Sequence, residues 1–508
     1  MTRTLSEEER ETLRAGFEWI DAHEDVLIDL LSELVSRPSV TGSEGLHDDP
    51  NSTVGHLVDH LLGGTERSEI VTESLPDEWQ YDPSLDEREN VYAVLEGAGD
   101  GALVCTSHTD VVPAGDPNAW PDGDPYALRD GTVSRVGDTT VELEVNGERH
   151  EREIRGKLAR AWNRRGVDSI DSLDVLIGRG AYDNKASIVC LVGSLLAIEA
   201  ALGGTRRLGG DLVHGHLVDE EVYQVGAKRM VGWGGHEGWL DGRYDSYDGF
   251  RGVVLEGSYG FAPVIGHRGL IWLELEARGE AAHASTPELG RNAVMGMAKA
   301  LSRADGDDYV DAVAEPFVDD SLLGETTIAP GTTIVGGDVR GVENGRVDRG
   351  GLNAIPDWCA ATYDIRIPRW DGFPDGIEEV QAEVEGIVEG QAEASSDAVS
   401  FSADVPEHGF FPPVALADDV ESAREHPLVK TALASATEVI GSEPPIEIAP
   451  GATDAAFIYH GTHAPTLVEY GPAGALSHEP LEFVERDHVI AGAKVMLELT
   501  IRELGVTE

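Results

Sequence analysis

Along the chain, short apolar runs bounded by turn residues alternate with longer segments whose apolar positions recur every three or four residues. NVYAVLEG, ALVCTSH, DVLIGRG, DLVHGHLVDE, GVVLEG and PTLVEYG read as buried strands. SIVCLVGSLLAIEAAL and HVIAGAKVMLELTIREL read as helices, after an N-terminal helix that ends near LSELVSRPSVTG. Such alternation predicts an α/β fold, a mostly parallel twisted sheet flanked by helices. Between residues 264 and 404 the order changes to β-α-β-β-α-β, from IGHRGLIWLELEARG to AVSFSADV, which is the order of a ferredoxin-like α+β sandwich. The pattern therefore predicts one domain made of residues 1–263 and 405–508, interrupted by a second at 264–404. TVSRVGDTTVELEVNGERHEREI reads as a rim hairpin turning at Asn146-Gly147, a pair suited to a two-residue type I′ turn.

Charge narrows the class of partner. The 508 residues hold 94 acids against 38 Lys and Arg, a net charge of −56. Phosphate binding needs clustered Lys and Arg, and no basic stripe is present, so nucleic acid and anionic membrane surfaces are excluded as partners. Lysine occurs only six times. Self-repulsion on such a surface is screened when the Debye length falls to roughly 3 Å at 1 M salt, so a salt-loaded (halophilic) cytoplasm is expected. Cys105, Cys190 and Cys359 are odd in number, far apart and set in apolar runs, which predicts core packing rather than disulfides or a CxxC metal site. The first thirty residues are charged and helix-patterned, unlike a cleaved signal peptide, and no run of eighteen apolar residues follows. A cytoplasmic location is expected.

Open α/β sheets place their sites beyond the carboxyl ends of the strands. The residues that fall there are His108, Asp110, Asp183, Glu220, Glu221, Glu256 and His478. Two imidazoles and several carboxylates on one rim suit two divalent cations, zinc first, with cobalt or manganese as alternatives. A cation pair needs one bridging carboxylate, and Asp183, alone in its loop, is the natural bridge. Neighbouring Glu220 and Glu221 point in different directions, so one can ligate while the other takes a proton from water. His214 and His216 lie upstream of their strand's end and read as core; His236, in WGGHEGW, reads as pocket rim.

The stretches SHTDVVPAG, GRGAYDNKAS, DEEVYQVG, VVLEG, GHRGLIWLELEARGEAAHASTPELGRNAV, GGLNAIPDWCAATYDIRIP, GATDAAF and YGPAGALSHEPLEFV resemble, in order, the motifs of the acetylornithine deacetylase and succinyl-diaminopimelate desuccinylase family. That family belongs to the co-catalytic zinc metallopeptidases, with aminoacylase and carboxypeptidase relatives. The resemblance covers roughly residues 25–504. It implies that His108, Asp183 and Glu256 hold one metal, and Asp183, Glu221 and His478 the other. Asp110 would fix the ring of His108, and Glu220 would be general base and later acid. The inserted domain would be a lid and commonly a dimerisation surface, implying a homodimer. His283 in EAAHASTP matches a lid histidine that stabilises the oxyanion, and Asn353 and Arg366 match a lid polar pair, the Arg suited to a substrate carboxylate. Thr453, in GATD, matches a loop near the substrate, although a turn role accounts for it equally.

The sequence departs from the family pattern at Ala186, at GSYG after Glu256 and at Leu481 before Glu482, and carries insertions at 129–175 and 233–249. None removes a ligand; those on the substrate side leave the acyl group and amine open. The expected activity is hydrolysis of the amide bond of a small N-acyl amino acid or peptide, as a deacylase, with a dipeptidase or carboxypeptidase as the alternative and a catalytically silent metal scaffold as a third reading.

Overall fold

The structure, a computed structural model, describes residues 3–507 except 77–78, 80, 82–84, 86, 138, 155–171, 305, 338, 344–345, 350–351 and 371–375. Part of the insertion expected at 129–175 therefore lies outside the described residues. The chain divides into two compact units, one of residues 1–266, 416–449 and 453–508, the other of residues 267–415 and 450–452. The sequence placed these boundaries at 264 and 404.

In the first unit a six-stranded sheet is formed by β1 (Glu69–Ser74), β2 (Glu89–Leu95), β3 (Ala102–His108), β4 (Asp211–Leu217), β5 (Arg251–Val254) and β6 (Thr466–Leu467), in the order β1-β2-β4-β3-β5-β6. β4, β3, β5 and β6 run parallel, while β1 and β2 pair antiparallel at one edge. β2 and β3 are buried at every position, as their uninterrupted apolar reading requires. The segment DVLIGRG departs from expectation. Its strand, Leu173–Ile177, belongs to a separate antiparallel sheet with Gly474–Ala475, Phe483–Glu485, Arg129–Arg135 and the hairpin Thr140–Val145/Glu148–Glu153. An apolar run specifies burial, not the direction of its neighbour. The hairpin turns at Asn146 (φ 52°) and Gly147 (φ 79°), both left-handed as a type I′ turn demands.

Helix Ala186–Leu202 is buried on nearly all sides and packs against Arg486–Leu504, where Gly193 and Ala493 let the two approach closely. Among the described residues, Ala181–Leu202 is long and apolar enough to cross a membrane, but 94% of its apolar window is buried inside the fold. The single N-terminal helix expected from the pattern is two, Glu7–Ala22 and Glu24–Val35, broken at His23. Cys105, Cys190 and Cys359 are free and buried.

The second unit has an antiparallel sheet in the order Thr327–Gly336, Trp358–Ile367, Gly269–Arg278, Ser400–Asp404. Helices Ala293–Ala304 and Ile377–Glu393 cover it, giving the ferredoxin-like arrangement. Ile271, Leu273, Leu275 and Ala277, at alternate positions of one strand, meet Met297, Ala300, Val384 and Val388 of the helices in one core.

Candidate metal centre

Three parallel strands end at the candidate site. His108 closes β3, Glu220 and Glu221 follow β4, and Glu256 follows β5. Parallel strands aligned in register bring these loops to one edge, which is why residues more than a hundred positions apart meet there. Asp183 and His478 arrive from the antiparallel sheet, Asp183 in the turn after Leu173–Ile177 and His478 in the loop between Gly474–Ala475 and Phe483–Glu485.

The five expected ligands come together. His108 Nε2 lies 3.1 Å from Asp183 Oδ1 and 3.3 Å from Glu256 Oε1. His478 Nε2 lies 3.4 Å from Asp183 Oδ2 and 3.0 Å from Glu221 Oε2. Two donor triads result, His108/Asp183/Glu256 and Asp183/Glu221/His478, each with its atoms within 4.8 Å of one another, and Asp183 offers one oxygen to each. The donor set of imidazole nitrogen and carboxylate oxygen without thiolate suits zinc, cobalt or manganese alike. Glu221 Oε1 is buried without a hydrogen-bond donor, a cost that a cation would remove. The residues fit a pair of divalent cations.

The electrostatics agree. Burial would lower the His108 pKa, but Glu256, Asp110 and Asp183 outweigh it and hold the ring well above the usual imidazole range. Hydrogen bonds to Asp183 and Glu221 push His478 up to about 10. Burial lifts Glu256 to about 7 against the pull of His108. Asp183 is also buried, yet its two imidazole partners hold it below the ordinary carboxylate range. The negative field that charges both imidazoles is the field a divalent cation neutralises.

Asp110 does more than the expected task. His108 Nδ1 donates to the Asp110 backbone carbonyl at 3.1 Å, with the carboxylate Oδ1 at 3.3 Å. The carboxylate also accepts the Glu220 and Glu221 N–H groups (3.0 and 3.2 Å) and the Thr41 hydroxyl (2.8 Å). It thereby ties the β3 ligand to the β4 loop. Glu220 belongs to neither triad; its Oε1 accepts from Gln224 Nε2 at 3.2 Å, and burial, with Glu256, Asp454 and Glu221 nearby, raises its pKa well above the usual range despite His108.

Sequence reasoning passed over the support of Asp183. Glu482 is fully buried and accepts N–H groups from Gly180, Tyr182 and Asp183 at 3.2, 3.0 and 2.9 Å, while Arg179 pairs with it. Gly180 has φ 78°, and a Cβ there would meet Val111 Cγ1 at 2.6 Å. Asn184 donates to the Leu255 carbonyl at 2.6 Å, which joins the Asp183 turn to the residue before Glu256. The visible signal was an acid inside the apolar run LEFV.

The remaining expected residues are placed as follows. Thr453 is buried; its hydroxyl donates to the Val468 carbonyl (3.0 Å) and accepts from Ala455 N–H (3.3 Å), a local role in starting helix Ala455–Thr462. Next to it, Asp454 is buried with neither oxygen bonded. In the second unit, His283 pairs with Ala354 in the ladder Ala282–His283/Ala354–Ile355 and Asn353 directly precedes it, with His283 Nε2 3.4 Å from the Asn353 amide and Nδ1 accepting from Ser285 N–H. The Arg366 fork is held by Asp364, at 2.6 and 2.8 Å. His214 and His216 are core residues, as their position within β4 implied, and His236 accepts from Trp79 Nε1 at 3.3 Å.

A family model described as peptidase family M20/M25/M40 matches residues 160–502. A probable carboxypeptidase of Aspergillus niger is 29% identical over 218 residues, covering 42% of this chain and 45% of that one; this chain thus spans about half the length of that relative. A dipeptidase structure from Saccharomyces cerevisiae superposes with a TM-score of 0.63 at 13% identity, covering 97% of this chain and 98% of its own. A dinuclear metal-binding peptidase structure from Bacillus subtilis gives 0.52 at 13% identity, covering 95% and 98%. At such identities the two structures establish the fold. With a family match over more than half its length, the chain belongs to peptidase family M20/M25/M40.

Proposed function

We propose that the chain is a two-metal hydrolase that cleaves the C–N amide bond of a small peptide or N-acyl amino acid. The observation that carries this reading is the pair of donor triads sharing Asp183. Divalent cations held there, zinc first, supply Lewis-acid polarisation of the scissile carbonyl and lower the pKa of water. Glu220, buried beside the triads and a member of neither, accepts the proton and returns it to the departing amine. Asp110 keeps the His108 ring and the Glu220-Glu221 backbone in fixed relation. For His283 we propose oxyanion stabilisation, supported by its pairing with Asn353; for Asn353, and for Arg366 once its fork exchanges Asp364 for the ligand, contact with a substrate carboxylate; for Thr453, a place in the substrate loop beside its local bonds at the start of helix Ala455–Thr462.

Deacylase and peptidase share this machinery. The relatives, among them a probable carboxypeptidase, support the peptidase reading, which fits about as well as the deacylase one. The test is a substrate screen on metal-reconstituted protein in molar salt, with a dipeptide panel, N-acetylornithine and N-succinyl-diaminopimelate. Turnover of dipeptides supports the peptidase reading and turnover of the acylated amino acids the deacylase reading; cleavage of none defeats both. We further propose a homodimer formed through the second unit and a salt-loaded cytoplasm as its setting, supported by an uncharged edge strand, Thr327–Gly336, on a chain of charge −56.

A further inference from the structure

Behind the Glu220-Glu221 pair lies a buried charge cluster that the reaction scheme does not use. Asp219, the residue before the pair, has φ 68°, a left-handed conformation unfavourable for a residue with a Cβ. It is held there from several sides. Arg88 Nη1 donates to Asp219 Oδ1 at 2.5 Å and the Tyr81 hydroxyl donates to the same oxygen at 2.6 Å. Tyr223 N–H donates to Oδ2 at 3.2 Å, Gln224 N–H to the Asp219 carbonyl at 2.7 Å, and the Asp219 N–H donates to Glu44 Oε1 at 3.1 Å. Arg88 Nη1 lies 3.7 Å from that same Glu44 oxygen, and the side chains of Arg88, Glu44 and Asp219 are all fully shielded from solvent.

A left-handed residue directly before two consecutive glutamates reverses the chain, and the next two N–H groups fall onto the Asp110 carboxylate. That reversal sends Glu221 to His478 while Glu220 stays outside both triads. A buried guanidinium between two carboxylates is costly to desolvate, and removing one partner leaves an uncompensated buried charge, so the three side chains hold one another in place. We propose that Arg88 is a positioning residue: by clamping Asp219 in its left-handed turn, it fixes the separate directions of Glu220 and Glu221. The inference rests on the roles given above to that pair.

The test pairs Arg88→Met and Arg88→Lys with Tyr81→Phe, each read by kcat, by KM and by cobalt(II) titration followed through its d–d absorption. In Arg88→Met, kcat is expected to fall at least tenfold with KM within about threefold, and one of two cobalt equivalents to weaken at least tenfold, since Glu221 serves one triad; Arg88→Lys restores part of both. Tyr81→Phe removes a donor to Asp219 without stranding a buried charge, and serves where Arg88→Met does not fold; a several-fold fall in kcat and in the affinity of one cobalt, at unchanged Tm, is expected. A folded Arg88→Met, or in its place Tyr81→Phe, with kcat and both cobalt affinities within twofold of the parent overturns the proposal. A parent that binds two cobalt ions and cleaves nothing defeats the hydrolase reading while the cobalt titration still judges Arg88; a parent that takes up no cobalt overturns both.

Discussion

Glu220 and Glu221 are chemically identical neighbours made different by their surroundings. Glu221 reaches His478, whereas Glu220 meets Gln224. Glu220→Gln is therefore expected to keep both cations while kcat falls at least about a hundredfold; metal content by atomic emission beside steady-state kinetics checks it, and full activity with both metals bound would defeat the mechanism. His214 and His216 lead to a prediction about acid. Burial lowers both to about 3, below the unfolded value of about 6.5. Between those values the unfolded chain binds more protons, so stability is complete above about pH 6.5 and drains away as pH falls toward 3, at about 1.4 kcal/mol per pH unit per group. Chemical denaturation from pH 7 to 5 should show a shallower loss in His214→Leu; an unchanged slope would count against it. The strand-end ligands were readable because each follows an apolar run. Arg88 and Asn184 were not, because a buried polar residue is defined by partners remote in the chain; Glu482 showed only as an acid in an apolar run, which told of burial and not of its partners.

Elements show the same limit at larger size. The periodicity located the central strands β2 to β6 and the helices Ala186–Leu202 and Arg486–Leu504 but passed over β1 and helices Thr53–Gly64 and Pro427–Ile440, and the second unit's β-α-β-β-α-β order held. It placed Leu173–Ile177 in the wrong sheet, because an apolar strand looks alike beside parallel or antiparallel partners. Thr327–Gly336 shows what a strand pattern does reveal. It is ten residues long, lies at a sheet edge, carries no charge, and leaves Ile334 and Val335 exposed at 56% and 48%. Edges of this kind are templates for further pairing, and on a strongly acidic chain an uncharged edge is where a second copy can approach. Ile334→Lys is expected to shift sedimentation from dimer to monomer while the first unit's cation binding stays unchanged; a parent that sediments as a monomer at micromolar concentration in molar salt would remove the dimer.

At the scale of the molecule, charge decides the conditions of stability. With 94 acids against 38 bases, like-charge repulsion is spread along the chain and is screened more closely as ionic strength rises. Tm is expected to rise steadily from dilute buffer to molar potassium chloride, and a flat profile would refute the salt-loaded setting. One consequence follows from where the five ligands originate. His108, Glu221 and Glu256 hang from the six-stranded sheet, and Asp183 and His478 from the antiparallel one. A cation in either triad would therefore be a rivet through two plates, one closing the chain between His108 and Glu256 and the other between Asp183 and His478. Loading and folding become one equilibrium, so a chelator should soften the whole first unit rather than merely silence it.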